Sequence, residues 1–518
     1  MTDVTDVIED HAVQVEQASA ELPTLLRASS NWTDQMVTAA AIPVHDMPIV
    51  TIGGGIGSFV MADYLRIAGG LPTSDIQVLS NLGHPWQTYQ RLAIASQIGP
   101  DDRIRSDAAS RPDNIWGFPS YALSEAARNR TIVPLLQVLL EPVFSDFYTP
   151  RLRMVLESLE REARRIRYWD MLQVGDVELV RKRVEGGYFV VFAGSDRGEP
   201  VRRVVRCRDV HLAVGYAGLR FLPELQEFRA SMNDYHRLVN AYEHHEHVYA
   251  ALLRRPGTVV VRGAGIVASR VLERLIRDRE EHGRPVQIVH VLRTYFAGPH
   301  GRQGPARRHG QDGFAYQGFN YPKSVWGGQL RAKIRSLHGD ERTQAYRDID
   351  GTTTAWRRDW QRQLRSGRAE GWYRVVNAYI DDIRPHGDGL LTRLRSADGH
   401  VDVQADYVID CTGLNAKVTE HQVLNDLLEH AGARVNTLGR IDVDQSFAVI
   451  GGDSRMGRMY LTGAAALGGP FPGVDTFLGL QIAAQEVVDD IARRGFCRRI
   501  GLTASLAGWL RWVTGRQI

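Results

Sequence analysis

Cysteine is scarce in this chain. Cys207, Cys411 and Cys497 stand far apart, and no two of them form a C-x-x-C pair. That spacing excludes a dithiol redox centre and a cysteine-based zinc site, and it fits a reducing compartment. Long apolar runs are also missing, since none reaches the roughly 20 residues that span a bilayer. No signal-peptide pattern opens the sequence. The expectation is therefore a soluble, cytoplasmic protein without a transmembrane segment. Nor is there an excess of charge: 63 basic against 60 acidic residues leave a net +3, so the total points to no nucleic-acid or membrane partner. The histidines of Tyr242-Glu243-His244-His245-Glu246-His247 lack the i, i+4 spacing of an H-E-x-x-H zinc helix. A solvated polar helix is expected there, and no metal.

What the chain does have is glycine, placed at the ends of β-branched runs. In a sequence of 518 residues, 43% hydrophobic, two or three domains with sizeable cores are expected. Pro48-Ile49-Val50-Thr51-Ile52 runs into Gly53-Gly54-Gly55-Ile56-Gly57-Ser58, and a helical pattern follows from Phe59. Strand, tight turn, helix is the setting a dinucleotide-binding fingerprint requires. Gly53 allows the sharp turn, and Gly55 and Gly57 keep the backbone open to a pyrophosphate. Ser58 allows close helix–strand packing, and the helix N-terminus offers free N–H groups. A second copy stands roughly 210 residues on, Thr258-Val259-Val260-Val261-Arg262-Gly263-Ala264-Gly265-Ile266-Val267-Ala268-Ser269. Its Gly263, Gly265, Ala268 and Ser269 fill the same positions. Two units imply two dinucleotide sites, economically one flavin (FAD) in the first and one nicotinamide in the second.

The flanking segments refine this. Ile76-Gln77-Val78-Leu79 reads as the second strand, and Ser80 stands where such folds usually carry a ribose-binding acid. Trp86 opens an aromatic stretch to Tyr121 that contains Arg105 and Asp107. It reads either as a flavin pocket lining or as a structural loop with an ion pair. The run from Gln173 to Cys207 alternates like antiparallel strands turning at Gly186-Gly187. The second strand of the second unit ends in Leu292-Arg293-Thr294. A basic side chain there suits the 2′-phosphate of NADPH, as an acid would suit a free 2′-hydroxyl. Thr412-Gly413 and Gly463 close strands suited to the floors of the two sites. Residues 293–374 hold sixteen basic and seven acidic side chains among many aromatics, and residues 1–47 hold eight acidic and one basic. The basic stretch reads as a cover for the active site or as a homo-oligomer contact, with no nucleic-acid module framing it. The tail, with Leu506, Trp509, Leu510 and Trp512, is amphipathic; a docked helix is expected, a membrane-surface contact being the other reading.

These features together resemble the two-dinucleotide-binding-domain flavoproteins over residues 46–495, and among them the class B flavin-dependent monooxygenases, the Baeyer–Villiger and N-hydroxylating group. Arg105-Ser106-Asp107-Ala108-Ala109-Ser110 is similar to that family's R-x-D-x-x-S element. Val239, Ala241, His245 and Tyr249 have the spacing of its F-x-G-x-x-x-H-x-x-x-W/Y signature, with Val and Ala in place of Phe and Gly. The resemblance implies an α/β protein with two Rossmann-like domains, the FAD domain discontinuous and the NADPH domain inserted in it. The expected boundaries are an arm over 1–45, FAD domain over 46–237 and 415–500, NADPH domain over 238–414 with its insertion at 296–372, and a tail over 501–518. It implies an enzyme that uses NADPH and O₂ to insert one oxygen into a small organic substrate, with Asp107 and Arg105 as catalytic candidates. An NADPH-dependent flavin oxidoreductase without oxygen insertion, or a non-catalytic flavin sensor, are the rival readings.

Overall fold

The computed structural model describes residues 22–104, 106–140, 148–196, 199–300, 310–316, 328, 330–349, 354 and 358–518. Arg105 lies outside them, as do most of the acidic arm and Phe319, Tyr321, Trp326 and Trp356 of the basic stretch.

The first body is built on a mixed sheet. Its strands are β1 (Val44–Ile52), β2 (Ile76–Ser80), β3 (Leu172–Arg183), β4 (Tyr188–Asp196) and β5 (Glu199–Leu212), with Met459–Leu461 at one edge and Asn31–Trp32 at the other. β1 lies parallel between β2 and β5, with Ile52 opposite Leu79 on one side and Leu212 on the other. A strand buried on both faces needs a continuous apolar run, and Ile49 to Ile52 supply it. β3, β4 and β5 pair antiparallel, and Gly186 and Gly187 take the positive φ that the β3–β4 hairpin turn requires.

Helix α1 (Ile56–Ile67) follows β1 and is buried from Ser58 to Leu65 without interruption. A helix enclosed on all sides should be apolar all round. The exception is Asp63, whose carboxyl meets that of Glu162 on α2 (Leu152–Arg165) inside the core. Arg165 pairs with Glu162, while Asp113 and Arg111 stand further off. Burial, with a smaller push from the Asp113 charge, raises Asp63 to about 7 against the opposing pull of Glu162 as a hydrogen-bond partner and of Arg165, and burial with the Asp63 and Asp113 charges raises Glu162 well above the usual carboxylate range. Two carboxyls this deeply buried and this close together favour the protonated, neutral form.

The second body contains a five-stranded all-parallel sheet in the order Tyr373–Asn377, Gln287–Leu292, Thr258–Arg262, Tyr407–Asp410, Leu238–Asn240. Helix α3 (Ile266–His282) follows Thr258–Arg262. Between Asn377 and Tyr407 the chain makes an antiparallel three-stranded sheet, Tyr379–His386, Gly389–Ser396 and Gly399–Ala405. Its inward residues Ile380, Leu390, Leu394 and Val403 pack with Val260, Val289 and Val408 of the parallel sheet.

The two bodies are tied. From α3, Arg270 reaches Asp102 and the carbonyl of Arg103, and Arg274 reaches Gln97. From the basic stretch, Arg331 and Arg335 both hold Glu486 of α4 (Phe477–Arg493), and the Tyr346 hydroxyl donates to the carbonyl of Gly469. Part of that stretch is thus packed against the first body through Glu486, while Arg368 pairs with Asp312 within the stretch itself.

Candidate functional site

Two turns carry the same geometry. Gly53 has φ +130, and Gly263 has φ +132. The Gly53 N–H donates to Leu79 on the neighbouring strand and the Gly263 N–H to Val291, at 3.0 and 3.2 Å. On the other side Ala213 donates to Ile52, and Cys411 to Arg262, at 2.8 and 2.7 Å. A side chain on Gly53 would put Cβ 2.3 Å from the Ala213 carbonyl oxygen, and one on Gly263 would meet the Cys411 carbonyl at 2.8 Å. Glycine is therefore dictated twice, by backbone angle and by the return strand. Gly55 and Gly265 then occupy the N-cap positions of α1 and α3 with extended backbone and no capping side chain. Nothing lies within 4 Å of the place a Cβ on Gly55 would fill.

That uncapped helix end, with free N–H groups beside an open backbone, is the cradle a pyrophosphate takes. Ser58, fully buried, sits with its hydroxyl 2.5 Å from the Gly53 carbonyl and 2.9 Å from that of Gly55. It pins the turn as well as packing the helix. A Cβ on Gly57 would stand 2.8 Å from that of Ala213 and 3.5 Å from Leu480 on α4, so strand, loop and α4 converge there. Gly463, with φ +79, leaves open space beside Thr462 on the same side. Ala268 and Ser269 are buried in the first turn of α3, where the Ser269 hydroxyl donates to Ile266.

Under each turn lies a buried neutral histidine that the sequence reading did not single out. His211 bridges Thr51 and Thr462 at 2.7 and 2.9 Å, and burial pushes it down to about 3. His290 joins the Gly263 carbonyl at 2.5 Å to the Tyr373 hydroxyl at 2.8 Å and is pushed down to about 4. The available signal was one histidine inside each apolar strand beside a fingerprint, in Val210-His211-Leu212 and Val289-His290-Val291.

The outer positions differ between the sites. The Ser80 hydroxyl accepts from the Leu82 N–H at 2.9 Å and closes a local turn. The exposed polar group beside the first cradle is Asn81, in hydrogen-bonding contact with Asp176 on β3, an acid supplied from a strand the sequence reading did not consult. Trp86, half-buried, packs edge-on to Trp169 with His84 beside both. At the second cradle Arg293 and Thr294 are exposed at the end of the Gln287–Leu292 strand, and Arg293 makes no ion pair among the described residues. The Thr412 N–H donates to Asp410 at 3.0 Å, and its hydroxyl stands within hydrogen-bonding contact of the same carboxylate. Gly413, with φ +109, faces open space. Unfilled cradles and an exposed guanidinium without an ion pair fit a dinucleotide at each turn.

Asp107 is half-buried and its carboxylate caps a tight turn, accepting from the Ala109 N–H at 2.6 Å. The loop it opens is fastened to α4: the Gln481 side-chain amide donates to the Arg111 and Pro112 carbonyls, one residue after the Leu480 that abuts Gly57. One helix thus positions the Asp107 loop and the first cradle together. The Tyr242–His247 segment departs from the solvated helix expected of it. His245 is buried, with Nδ1 at the Glu243 carbonyl and Nε2 2.9 Å from the buried Tyr249 hydroxyl, because it seats helix Glu246–Arg254 on the sheet.

The fold carries two like-built glycine cradles, one in each body. Among solved structures it is similar to the FAD-bound cadaverine monooxygenase DfoA of Erwinia amylovora (13% identity, TM-score 0.63, covering 88% of this chain and 98% of that one). The ornithine N-hydroxylase KtzI of Kutzneria sp. 744, solved with reduced FAD, NADP⁺ and L-ornithine, gives 13%, 0.61, 87% and 100%. The ornithine hydroxylase PvdA of Pseudomonas aeruginosa gives 15%, 0.60, 87% and 100%. At such identities the likeness is one of fold. No protein-family model and no curated protein sequence matches the chain.

Proposed function

We propose that the chain is an FAD- and NADPH-dependent monooxygenase acting on the nitrogen of a small amine. The observation that carries this is the pair of superposable glycine turns, Gly53 against Ala213 and Gly263 against Cys411, each ending in an uncapped helix within one tied assembly. One nucleotide site would hold FAD and the other NADPH, whose 2′-phosphate Arg293 would meet. Nitrogen is favoured over carbon because the similar folds reported above are amine hydroxylases.

When bound, the flavin would take hydride from NADPH and supply the redox chemistry with O₂. The chain's own residues hold and shield. Gly53, Gly55 and the α1 N-terminus bind the FAD pyrophosphate, and Gly263, Gly265 and the α3 N-terminus that of NADPH. His211 and His290, neutral above their depressed values, keep the turns fixed without adding charge. Asp107 would provide the carboxylate that the sequence resemblance implies near the flavin, with Gln481 as the residue that positions its loop. The segment of residues 330–349 packed on α4 helps to exclude water.

The test is NADPH oxidation by the purified yellow protein with and without L-ornithine, L-lysine, cadaverine and related amines, with hydroxylated product and hydrogen peroxide both measured. Stimulated oxidation with matching product supports the reading. Oxidation that no amine changes, with no oxygenated product, would make the chain a flavin oxidoreductase instead.

A further inference from the structure

The C-terminal helix α5 (Leu502–Thr514) is docked through one side only. Trp512 donates from its indole to Asp113 and packs against Trp116 at 5.4 Å and Phe118 at 6.2 Å, with Arg111 over its ring. Trp509 lies 6.3 Å from Phe118, and the Trp116 indole donates to Ser505. The backbone beyond is fastened too, since the Ile518 N–H donates to Arg165 and Arg66 donates to the Ile518 carbonyl. Fixed in this way, α5 presents a stripe that nothing covers: Leu502, Leu506, Leu510 and Val513 are 88, 60, 52 and 58% exposed. Spacings of four, four and three put them on one helical face. No residue of the helix is buried.

The tail itself is basic, although Arg493, Arg494 and Arg499 are paired with Asp490, Asp209 and Asp489. Residues 493–518 contain Arg493, Arg494, Arg498, Arg499, Arg511 and Arg516 and no acid. Where α5 ends, Gly515 and Gln517 form a cleft of about 410 Å³ with Arg161, Arg164 and Arg165 of α2. Its carboxylates are already engaged, Glu160 by Arg164 and Glu157 by Arg128. Arg161 and the tail's Arg498, Arg511 and Arg516 make no ion pair among the described residues.

We infer that α5 is a peripheral membrane-docking element that lays its leucine stripe into an anionic lipid surface, with the Arg161 cleft taking a phosphate headgroup. A leucine stripe flanked by arginines and backed by tryptophans is suited to the boundary between headgroups and acyl chains. No described helix is long and apolar enough to cross a membrane, so the contact is one of surface.

The full-length protein would be centrifuged with vesicles of phosphatidylcholine alone or mixed with phosphatidylglycerol. It should sediment with the mixed vesicles only, and less in high salt. Leu502→Ser/Leu506→Ser/Leu510→Ser, all at exposed positions, should weaken partitioning by at least about tenfold. Arg161→Gln and Arg511→Gln/Arg516→Gln should each weaken it by roughly fivefold per arginine, with unchanged circular dichroism. Failure of the wild type to sediment with anionic vesicles would overturn the inference, as would undiminished binding by the leucine variant. So would a dimer seen by light scattering that the leucine variant dissociates, since a second copy would then cover the stripe.

Discussion

Replacing Asp63 by asparagine tests the energetics of the core beneath the first cradle. In the native chain burial favours the neutral form of Asp63, which is raised from an ordinary 3.8 to about 7. A carboxyl raised on folding binds more protons folded than unfolded. Its contribution is therefore fully present below the unfolded value and is lost as pH rises through about 7. Each pH unit across that window changes stability by about 1.4 kcal/mol. From pH 5 to pH 8 the wild type should lose about 2–3 kcal/mol from this pair alone. Asp63→Asn keeps the shape, needs no proton and leaves Glu162 free to ionise beside Arg165. The assay is urea denaturation of both proteins at pH 5, 6, 7 and 8, followed by far-UV circular dichroism. Taking the difference between them cancels the titrating groups outside this pair. The variant should gain on the wild type by about 2–3 kcal/mol over this range. A pH-independent difference, or one of opposite sign, would refute a carboxyl held neutral in the core.

Three further outcomes bear on the site. Gly53→Ala should yield colourless protein, because its Cβ would meet the Ala213 carbonyl at 2.3 Å; absorbance near the flavin bands, normalised to protein, checks this. Arg293→Ala should raise the KM for NADPH roughly ten- to a hundredfold and leave that for NADH nearly unchanged, as expected for one charge-assisted contact of about 1.5–3 kcal/mol; equal effects on both would give the residue a structural role. Asp107→Ala should stay yellow and oxidise NADPH but release more hydrogen peroxide per NADPH, and wild-type coupling would remove Asp107 from the chemistry.

The turns were readable because their cause is local: a backbone angle only glycine tolerates, at the end of a β-branched run. The Gly186-Gly187 hairpin was legible for a similar reason of turn chemistry. The Asp63–Glu162 pair was not. A single carboxyl on a helix looks solvated in sequence, and its partner lies on another helix a hundred residues away. Asp176 escaped for a related reason, since the acid near Asn81 comes from a sheet neighbour and not from the strand that ends at Ser80. His245 was misjudged because its charged neighbours dominate the composition, while its burial depends on Tyr249 one turn later.

The straps from α3 have a mechanical meaning. Arg270 and Arg274 grow from the helix that opens the second nucleotide cradle and grip residues 97–103, the lead-in to the Asp107 loop. Rotation of the second body as a rigid unit must either break these contacts or drag that lead-in along. The strain of such a rotation is delivered a few residues from Asp107, whose loop is held from the other end by Gln481 and Trp512. The loop is thus clamped at its far end and pulled at its near end, a lever through which occupancy of one proposed nucleotide site would be felt at the other.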